Sequence, residues 1–478
     1  MRSLLEHLVD AADGRADYAD VRHVRSARER IAMRNGAVHE LEADESEGLG
    51  VRVRIGGAWG FAAAREAARR SAEDALERAL AIAEAQPRFH GSGLAPERPA
   101  DGSWESPLQR DPFEVPLEEK LDVLTAAAEA LRGEPAVAVA TARFLAFRTE
   151  KAFASSEGAY CEQRLVSCGG GVAAAAVDGA ETQVRSYPSS HGESVVQAGF
   201  EHFASLGLAE EAPRVAEEAA ALLRAPACPA GETSLILSGE QLGLQIHESV
   251  GHAVELDRVL GRELSYAGGS YLTPDDVAAY RVGSPLMNVT ADATMPSGLG
   301  SFRWDDEGVK AQAVPIVREG ELRGFLSSRE TAAEIGLERS AGCMRAQGFE
   351  RQPIVRMTNV NLEPGDAGTL EDLVADTDRG LLIETNRSWS IDHRRLQFRF
   401  EGEAGWEIAK GRRGRLVRNP SYAGVTPEFW ARLDAVCSGP DWTLSSFLDC
   451  GKGEPGQLLA VSHGSAPARF RGVEAGVP

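Results

Sequence analysis

The chain has 478 residues, of which 43% are hydrophobic and 26% are charged, and its formal net charge is −21. This length and composition are typical of a globular protein of about two or three domains, and they match disordered segments, collagen and coiled coils poorly. The negative charge repels nucleic-acid phosphate and anionic lipid over long range, so we expect neither nucleic acid nor a membrane as a partner.

The N-terminal part of the chain predicts β-strands joined by tight turns. Residues 21–34 have strand composition, and Asn35 and Gly36 after them are a strong signal for a two-residue hairpin turn. Residues 38–41 are then the returning strand. Residues 50–55 alternate between apolar and polar side chains and predict a further strand.

Two helices and a strand-rich segment follow. Apolar residues recur at helical spacing over 68–83 and over 117–131, whereas residues 88–112 are rich in Gly, Pro and Ser and predict a loop. Residues 136–177 have the composition of two or three strands. Residues 214–223 predict a short helix.

A change in composition over residues 225–231 marks the predicted domain boundary. Two prolines and a glycine stand there between two periodic segments. We therefore divide the chain into an N-terminal α+β domain, residues 1–225, and a C-terminal domain, residues 226–478, which carries the chemistry.

The C-terminal domain predicts one helix among many strands. Residues 233–237 have strand composition, and residues 239–256 predict a helix. Residues 318–322 and 410–414 lie between alternating runs and predict hairpin turns. The fold class is therefore α+β: an N-terminal domain of mixed strands and helices, and a largely antiparallel C-terminal β domain that carries the helix of residues 239–256, on which two of the candidate metal ligands described below lie.

Neither the N-terminus nor the cysteines indicate secretion. Glu6, His7 and Asp10 stand where a signal peptide needs an unbroken apolar core. The most apolar run, residues 169–177, is far shorter than the roughly 20 residues of a membrane-spanning helix. The six cysteines are scattered and none forms a Cys-x-x-Cys pair, so they predict reduced thiols in a cytoplasmic protein.

The informative motif lies on the helix predicted over residues 239–256. His247, Glu248 and His252 form the pattern His-Glu-x-x-x-His. Neutral imidazole is a good zinc ligand, and a glutamate beside a metal-activated water can take its proton and pass it on. These are the parts of a metallohydrolase, although two unrelated histidines on a surface helix give the same pattern by chance.

The spacing of the two histidines sets a structural condition. In a regular α-helix, residues five apart point about 140° away from each other, whereas residues four apart, as in the usual zincin motif, diverge by about 40°. Both imidazoles can face one metal only where the helix is widened. We therefore expect a widened helix, for instance one with a π-bulge near Gly251.

The spacing of residues does not identify the third metal ligand. A catalytic zinc usually has three protein ligands and a water, and the third ligand arrives from far away in the sequence, so spacing cannot select it. The candidates are Cys450, His393, His463, Glu255 and Asp257.

Other conspicuous residues have plainer interpretations. Residues 305–307, all acidic, predict an acidic turn rather than part of a site. His393 and His463 are interpreted as ordinary polar residues. Arg356 is interpreted as half of a surface ion pair, with the orientation of a substrate carbonyl as the alternative.

Several short motifs resemble the TldD/PmbA family of metallopeptidases, on its catalytic TldD side, over nearly the whole chain. In chain order they are Ala16 to Val21, Gly48 to Val53, Gly57 to Ala62, His247 to His252 with Glu255 and Asp257, Asp305 to Gly308, Arg356 to Asn359, and Cys450 to Lys452. This ordered set is far more specific than the histidine pair alone.

The resemblance implies a zinc ion held by His247, His252 and Cys450, with Glu248 as the general base. It also implies hydrolysis of unfolded or extended peptides in a site enclosed between two subunits. The second subunit is either a PmbA/TldE-like partner, which usually lacks the zinc motif, or another copy of the chain. The alternative is a non-catalytic peptide- or partner-binding subunit of the gyrase-modulator type with a structural metal. A third interpretation is an amidohydrolase or deaminase acting on a small molecule.

Overall fold

A computed structural model of the protein describes residues 1–87, 91, 93–190, 193–454 and 456–477. Two sheet-rich regions follow each other along the chain, and helices accompany each of them. The predicted α+β class is confirmed. Within the described residues, none of the helices has the length and apolar character needed to cross a membrane.

The N-terminal region is built on one eight-stranded sheet. Its strands are β1 (Tyr18–Arg34), β2 (Ala37–Ile55), β3 (Ala58–Ala64), β4 (Asp101–Glu105), β5 (Val137–Ser155), β6 (Tyr160–Asp178), β7 (Glu181–Tyr187) and β8 (Ser194–Val196). They are arranged in the order β3-β2-β1-β5-β6-β4, and β7 and β8 also pair with β6. These pairs are antiparallel except for β4 with β6, which is parallel.

Helices of this region pack on the sheet through two separate cores. The helices are α1 (Arg2–Ala11), α2 (Arg69–Ala85), α3 (Leu117–Leu131), α4 (Phe200–Ala204) and α5 (Leu208–Leu222). Leu8 of α1 and Leu76 of α2 share one core with Val51 of β2. Leu124 of α3 shares the other with Phe144 of β5. Burial of these apolar faces is the main favourable contribution to the stability of the region.

The helix predictions for this region are confirmed. The segments 68–83, 117–131 and 214–223 lie in α2, α3 and α5, apart from residues at their ends. The strand-rich segment 136–177 contains β5 and β6. Spacing of apolar residues was therefore sufficient to locate these elements.

The hairpin turn between β1 and β2 is confirmed, but β2 is longer than predicted. Asn35 and Gly36 have φ values of 53° and 82°, which suit the type I′ turn that this residue pair favours. The sequence indicates two pieces, 38–41 and 50–55, where β2 is continuous. Residues 37–47 are mostly exposed on both faces, so their charged side chains hide the alternation that identifies a half-buried strand.

The loop prediction for residues 88–112 is wrong in part. The segment contains β4, which pairs in parallel with β6. The side chains of β4 are mostly exposed, so no hydrophobic alternation indicates the strand. Residues 88–90 and 92 of this segment lie outside the described residues.

The C-terminal region contains a seven-stranded sheet and three smaller ones. Its strands are β9 (Gly231–Leu237), β10 (Val289–Asp292), β11 (Ala313–Arg318), β12 (Glu321–Leu322), β13 (Met344–Arg345), β14 (Ile354–Val355), β15 (Val360–Leu362), β16 (Arg379–Ile391), β17 (Gln397–Ala409), β18 (Arg412–Arg418), β19 (Ser421–Val425), β20 (Leu433–Val436), β21 (Thr443–Lys452), β22 (Gln457–Ser465) and β23 (Ala468–Ala475).

The largest of these sheets closes on itself. Its order is β16-β9-β23-β19-β17-β18, with β20 paired to β23, and a further pairing of β16 with β17 joins β16, β9, β23, β19 and β17 into a ring. Within this sheet β9 and β16 are parallel, and the other pairs are antiparallel. The largely antiparallel character predicted for this region is confirmed.

Short helices and tight turns connect these strands. The helices are α6 (Gly239–Ile246), α7 (Leu256–Val259), α8 (Arg329–Glu334), α9 (Leu370–Ala375) and α10 (Thr426–Ala431). The smaller sheets are β12-β11-β10-β15, β13-β14 and β21-β22. The predicted hairpin turns at 318–322 and 410–414 are confirmed, with Glu319 and Lys410 at φ values of 51° and 53°.

Buried ion pairs join the two regions at the predicted acidic turn. Residues 305–307 do form a turn, but they are buried rather than solvated. Asp306 lies 2.9 Å from Nζ of Lys151 in β5, and Glu307 lies 3.3 Å from the Arg52 guanidinium in β2. The turn therefore connects the C-terminal region to the N-terminal sheet, away from the residues of the histidine motif.

Candidate metal centre

The helix that carries the histidine motif changes its winding at the motif. Ser238 caps α6 at its start, where its side chain accepts a hydrogen bond from the backbone N–H of Gln241. After Ile246 the chain forms a π-helical turn over His247–Gly251 and then a 3₁₀ turn. The regular helix predicted over 239–256 is therefore interrupted, and the predicted π-bulge is confirmed.

The π turn brings the two histidines to the same side of the helix. The backbone N–H of His252 donates to the carbonyl of His247, five residues earlier. The two imidazole centroids are 4.8 Å apart with their planes at 87°. Gly251 permits this winding, because a Cβ atom there would lie 2.1 Å from Sδ of Met357.

Cys450 completes a compact group of candidate ligands. It stands on β21 beside a bulge in the β21–β22 pairing. Ligand atoms of His247, His252 and Cys450 all lie within 4.8 Å of one another, and the three residues are 4%, 3% and 4% exposed. The three residues named from the family resemblance are therefore adjacent, in a site that solvent barely reaches.

Hydrogen bonds fix which nitrogen of His247 is free. Nδ1 of His463 lies 2.7 Å from the carbonyl oxygen of Val360, which can only accept, so this nitrogen carries a proton. Nε2 of the neutral His463 is then an acceptor for Nδ1–H of His247, 2.7 Å away. The remaining nitrogen of His247, Nε2, keeps its lone pair for a metal. His463 is thus a partner of a candidate ligand, not an ordinary polar residue.

The same tautomer is selected at His252 by a carboxylate. Nδ1 of His252 lies 2.8 Å from Oε2 of Glu255, and Nε2 lies 3.7 Å from Sγ of Cys450. A proton on Nδ1 leaves Nε2 directed toward the thiol. A carboxylate behind a ligating imidazole is a common arrangement in zinc sites, since it orients the ring and raises its basicity.

Burial keeps both imidazoles neutral. It lowers the pKa of His247 to about 4 and the pKa of His252 well below its ordinary value. Burial by itself raises the pKa of the Cys450 thiol, but the neighbouring His252 and the Arg356 guanidinium outweigh it, and the pKa of Cys450 is lowered. Neutral imidazole and thiolate are the protonation states that bind a metal.

Arg356 lies inside the protein, so the expectation of a surface ion pair is wrong. It is fully buried and donates to the backbone carbonyls of Cys450 and Gln457. The strand pattern around it could not show that β21 and β22 would cover it. Arg356 therefore fixes the backbone that carries Cys450 and places a positive charge near its thiol.

Glu255 belongs to a buried ion network. Lys452 donates to Asp257 at 2.7 Å and lies 3.5 Å from Glu255. Arg258 lies 2.8 Å from Glu263 and 3.6 Å from Glu255. Lys452 and Arg258 thus hold the carboxylate of Glu255, which in turn orients the His252 imidazole. Glu255 and Asp257, both candidates from the sequence, support the site through this network and lie outside the ligand group.

The β16–β17 hairpin holds the carboxylate of Glu248. Oε1 accepts a hydrogen bond from Nε1 of Trp389 at 2.9 Å, and Oε2 lies 2.5 Å from Nη1 of Arg395. Glu248 directly follows His247 in the π turn and is 6% exposed. Neither Trp389 nor Arg395 belongs to a motif that is recognisable in the sequence. His393, in the same turn, is exposed and lies outside the ligand group.

Family comparisons give three matches along the chain. A model of the PmbA/TldA metallopeptidase C-terminal domain matches residues 230–475, and models of domain 1 and the central domain match residues 19–83 and 110–225. The boundary that we place at 225/226 falls between the second and third matches and stays a proposal.

Two curated relatives are similar over nearly the whole chain, and a third is similar over about half of it. A metalloprotease from Methanothermobacter thermautotrophicus is 30% identical over 98% of this chain and 97% of its own. A metalloprotease TldD homolog from Haemophilus influenzae is 25% identical over 96% of this chain and 93% of its own. A zinc metalloprotease TldD homolog from Saccharolobus solfataricus is 27% identical over 52% of each chain.

Solved structures share the fold. A protein from Thermotoga maritima described as a modulator of a DNA gyrase matches with a TM-score of 0.76 at 17% identity, over 99% of both chains. TldE from Thermococcus kodakarensis matches with a TM-score of 0.74 at 15% identity, over 99% of both chains. At these identities the likeness concerns the multi-domain fold alone.

Proposed function

Since the chain belongs to the PmbA/TldD family of metallopeptidases, we propose that it is a zinc-dependent peptidase acting on unfolded or extended peptides. One observation carries the proposal. Ligand atoms of His247, His252 and Cys450 lie within 4.8 Å of one another, and Glu248 directly follows His247 in the π turn.

The donor set suits zinc. Two neutral imidazoles and a thiolate are borderline and soft ligands, and zinc binds such sets in tetrahedral geometry. Among the described residues the group contains three ligands, which leaves one coordination position for water or substrate, as in catalytic sites. When bound, the zinc ion supplies Lewis acidity to water and to the scissile carbonyl.

Glu248 is the proposed general base. Its carboxylate takes the proton of the attacking water and later transfers it to the leaving amine. Trp389 and Arg395 hold the two oxygens of this carboxylate in place. A base with a fixed orientation loses little entropy in reaching the geometry of proton transfer.

Burial of the site supports an extended substrate. The candidate ligands and Glu248 are at most 6% exposed, so the surface of a rigid folded protein cannot reach them, and the proposed substrate is an extended chain. Recognition of the peptide backbone by addition to a sheet edge would permit loose sequence preference. We further propose that the chain acts as a dimer, either with a PmbA/TldE-like subunit or with itself, and that it is cytoplasmic.

A non-catalytic role is the second candidate. The solved structures of the same fold that are described as gyrase modulators motivate it. A structural zinc normally has four protein ligands and no open position. The group of three described ligands therefore favours the peptidase.

The replacement Glu248→Gln tests the proposal. It removes the proton acceptor but keeps the shape of the side chain, so zinc content should stay near one per chain while cleavage of unfolded casein falls by about 10²–10⁴-fold. Glu338→Gln, at an exposed glutamate, is the matched control. Full activity in the Glu248 variant would rule out its role as base, and no cleavage by the zinc-loaded wild type, alone or with a PmbA/TldE-like subunit, would favour the non-catalytic role.

A further inference from the structure

Arg395 occupies a fixed position in the turn between β16 and β17. Its φ of 62° is in the left-handed region, which costs a non-glycine residue about 1–3 kcal/mol. The backbone is held there on both sides. Its N–H donates to the carbonyl of Asp392 at 3.0 Å, and its carbonyl accepts from Oγ1 of Thr426 at 2.8 Å. A positive φ also occurs in the hairpin turns at Glu319 and Lys410, so it is the side chain of Arg395, not its backbone, that indicates a function.

The side chain of Arg395 has more hydrogen-bond donors than the protein uses. A guanidinium has five N–H donors in a planar fork. Nη1 contacts Oε2 of Glu248 at 2.5 Å, whereas Nε is buried and has no hydrogen-bond partner among the described residues. An unpaired buried donor costs roughly 1–3 kcal/mol unless another group satisfies it. This donor belongs to the same guanidinium that contacts the proposed base, Glu248.

The guanidinium of Arg395 is held near the metal centre through the carboxylate of Glu248, the residue that directly follows His247 in the π turn. The carboxylate that pairs with Arg395 is shared with Trp389. The Arg395 cation is therefore held near the ligand group, and its Nε–H has no hydrogen-bond partner among the described residues.

We propose that Arg395 is a catalytic residue that donates a hydrogen bond to the carbonyl oxygen of the scissile peptide bond as negative charge develops on it. The inference rests on the proposed peptidase function. It gives a role to the turn that joins β16 to β17, which the motif analysis left without a function. The competing explanation is that Arg395 only positions Glu248.

The reaction balances without any further reactant. The oxygen of water forms a bond to the carbonyl carbon while Glu248 takes one proton from that water, and the π electrons of the carbonyl move to its oxygen. Arg395 stabilises this oxyanion and keeps its own protons. The oxyanion then re-forms the carbonyl, the carbon–nitrogen bond breaks, and Glu248 returns the proton to the amine.

Three variants of the zinc-loaded protein separate the two explanations. Arg395→Ala removes both the donor and the contact with Glu248. Trp389→Phe removes the other hydrogen bond to Glu248 but no cation. Arg394→Ala removes an exposed arginine from the same turn. The measurements are kcat and KM on unfolded casein, zinc content, thermal unfolding, and recovery of activity with millimolar guanidinium.

We expect kcat of the Arg395→Ala protein to fall by about 10²–10³-fold, the usual effect of losing one oxyanion donor, with zinc content and KM little changed. Guanidinium should restore part of that activity and should not affect the Arg394→Ala protein. The loss in the Trp389→Phe protein should be below about 10-fold.

Equal losses in the Arg395 and Trp389 variants would overturn the proposal in favour of a positioning role, and an unchanged kcat would overturn any role. If the Arg395→Ala protein fails to fold or to keep zinc, the same measurements on Arg395→Gln are compared with those on the Trp389 and Arg394 variants. A wild-type protein that binds zinc but cleaves no peptide, alone or with a PmbA/TldE-like subunit, would instead refute the peptidase function itself, and this inference with it.

Discussion

Nδ1 of His247 lies 2.7 Å from Nε2 of His463, and this contact determines which nitrogen of His247 is available to a metal. His463 is in turn oriented by the carbonyl of Val360. The carbonyl of Val360 accepts a hydrogen bond from Nδ1–H of His463, and Nε2 of His463 accepts one from Nδ1–H of His247. The tautomer of His247 is thus set before any metal arrives.

Replacing His463 should weaken metal binding without removing a ligand. His463→Leu takes away the acceptor for Nδ1–H of His247, and loss of such a partner typically costs roughly 10–100-fold in metal affinity. His463→Gln, whose amide oxygen can accept the same proton, should lose less. Competition for zinc with a chromophoric chelator measures both, and equal affinity of the wild-type and Leu proteins would show that the contact does not control the ligand.

Cys450 should be required for zinc, whereas another buried cysteine should not. Cys450→Ala removes one of three ligands, so zinc content by elemental mass spectrometry should fall from about one per chain to well below one-half. Cys437→Ala, at a buried thiol outside the ligand group, is the matched control and should keep its zinc. Zinc retained in the Cys450 variant would mean that the ligand group is different.

A methyl group at Gly251 should disrupt the π turn. Its Cβ would lie 2.1 Å from Sδ of Met357, which is fully buried and has little room to move. We expect Gly251→Ala to lower the free energy of unfolding by about 1–3 kcal/mol, as overpacking usually does, and to weaken zinc binding by displacing His252. Urea unfolding and metal content measure the two effects.

Gly243 offers the matched control in the same helix. A Cβ there meets its nearest neighbour, in Phe447, at 3.5 Å, which is an ordinary contact. Gly243→Ala should therefore be neutral or stabilise by up to about 1 kcal/mol, because alanine restricts the unfolded chain. If both alanine variants behave alike, the winding of the π turn does not depend on Gly251.

The sequence predicts the local geometry of the histidine motif, but it does not show which residues from distant parts of the chain reach the metal centre. The five-residue spacing of His247 and His252 is readable because a helix has a fixed period, and it led directly to the π-bulge. Cys450 is separated from His252 by 198 positions, so only the family resemblance selected it. Arg395 lies 147 positions from Glu248, in a polar turn whose local pattern indicates nothing beyond a turn.

Burial of charge was the other feature that the sequence could not show. Lysine and arginine side chains are usually exposed, yet Lys452 and Arg356 are both fully buried. A lysine is buried where several carboxylates surround it, and Asp257 and Glu255 reach Lys452 only after the chain has folded. Hydropathy patterns locate apolar cores well for this reason and polar cores poorly.

The free energy of unfolding of the metal-free protein should depend on pH through the buried side chain of His247. Burial lowers the pKa of His247 from 6.5 to about 4. At a pH between about 4 and 6.5, the unfolded chain binds a proton at this histidine and the native protein does not. The contribution of His247 to the free energy of unfolding therefore falls as the pH decreases through this range, by up to about 1.4 kcal/mol per pH unit. Glu263 and Glu403 act with the opposite sign, because burial raises the pKa of each to about 7.

The contribution of His247 is therefore measured as a difference between proteins rather than from one profile. Urea unfolding of metal-free wild type and His247→Gln at about pH 7 and about pH 5 should show a smaller loss of stability on acidification in the variant, because its unfolded chain has one fewer group to protonate. His393→Gln, at an exposed histidine of the nearby turn, is the control for the substitution itself. A His247→Gln protein that loses as much stability as the wild type would show that His247 is protonated in the native metal-free protein, against the burial that the fold imposes on it.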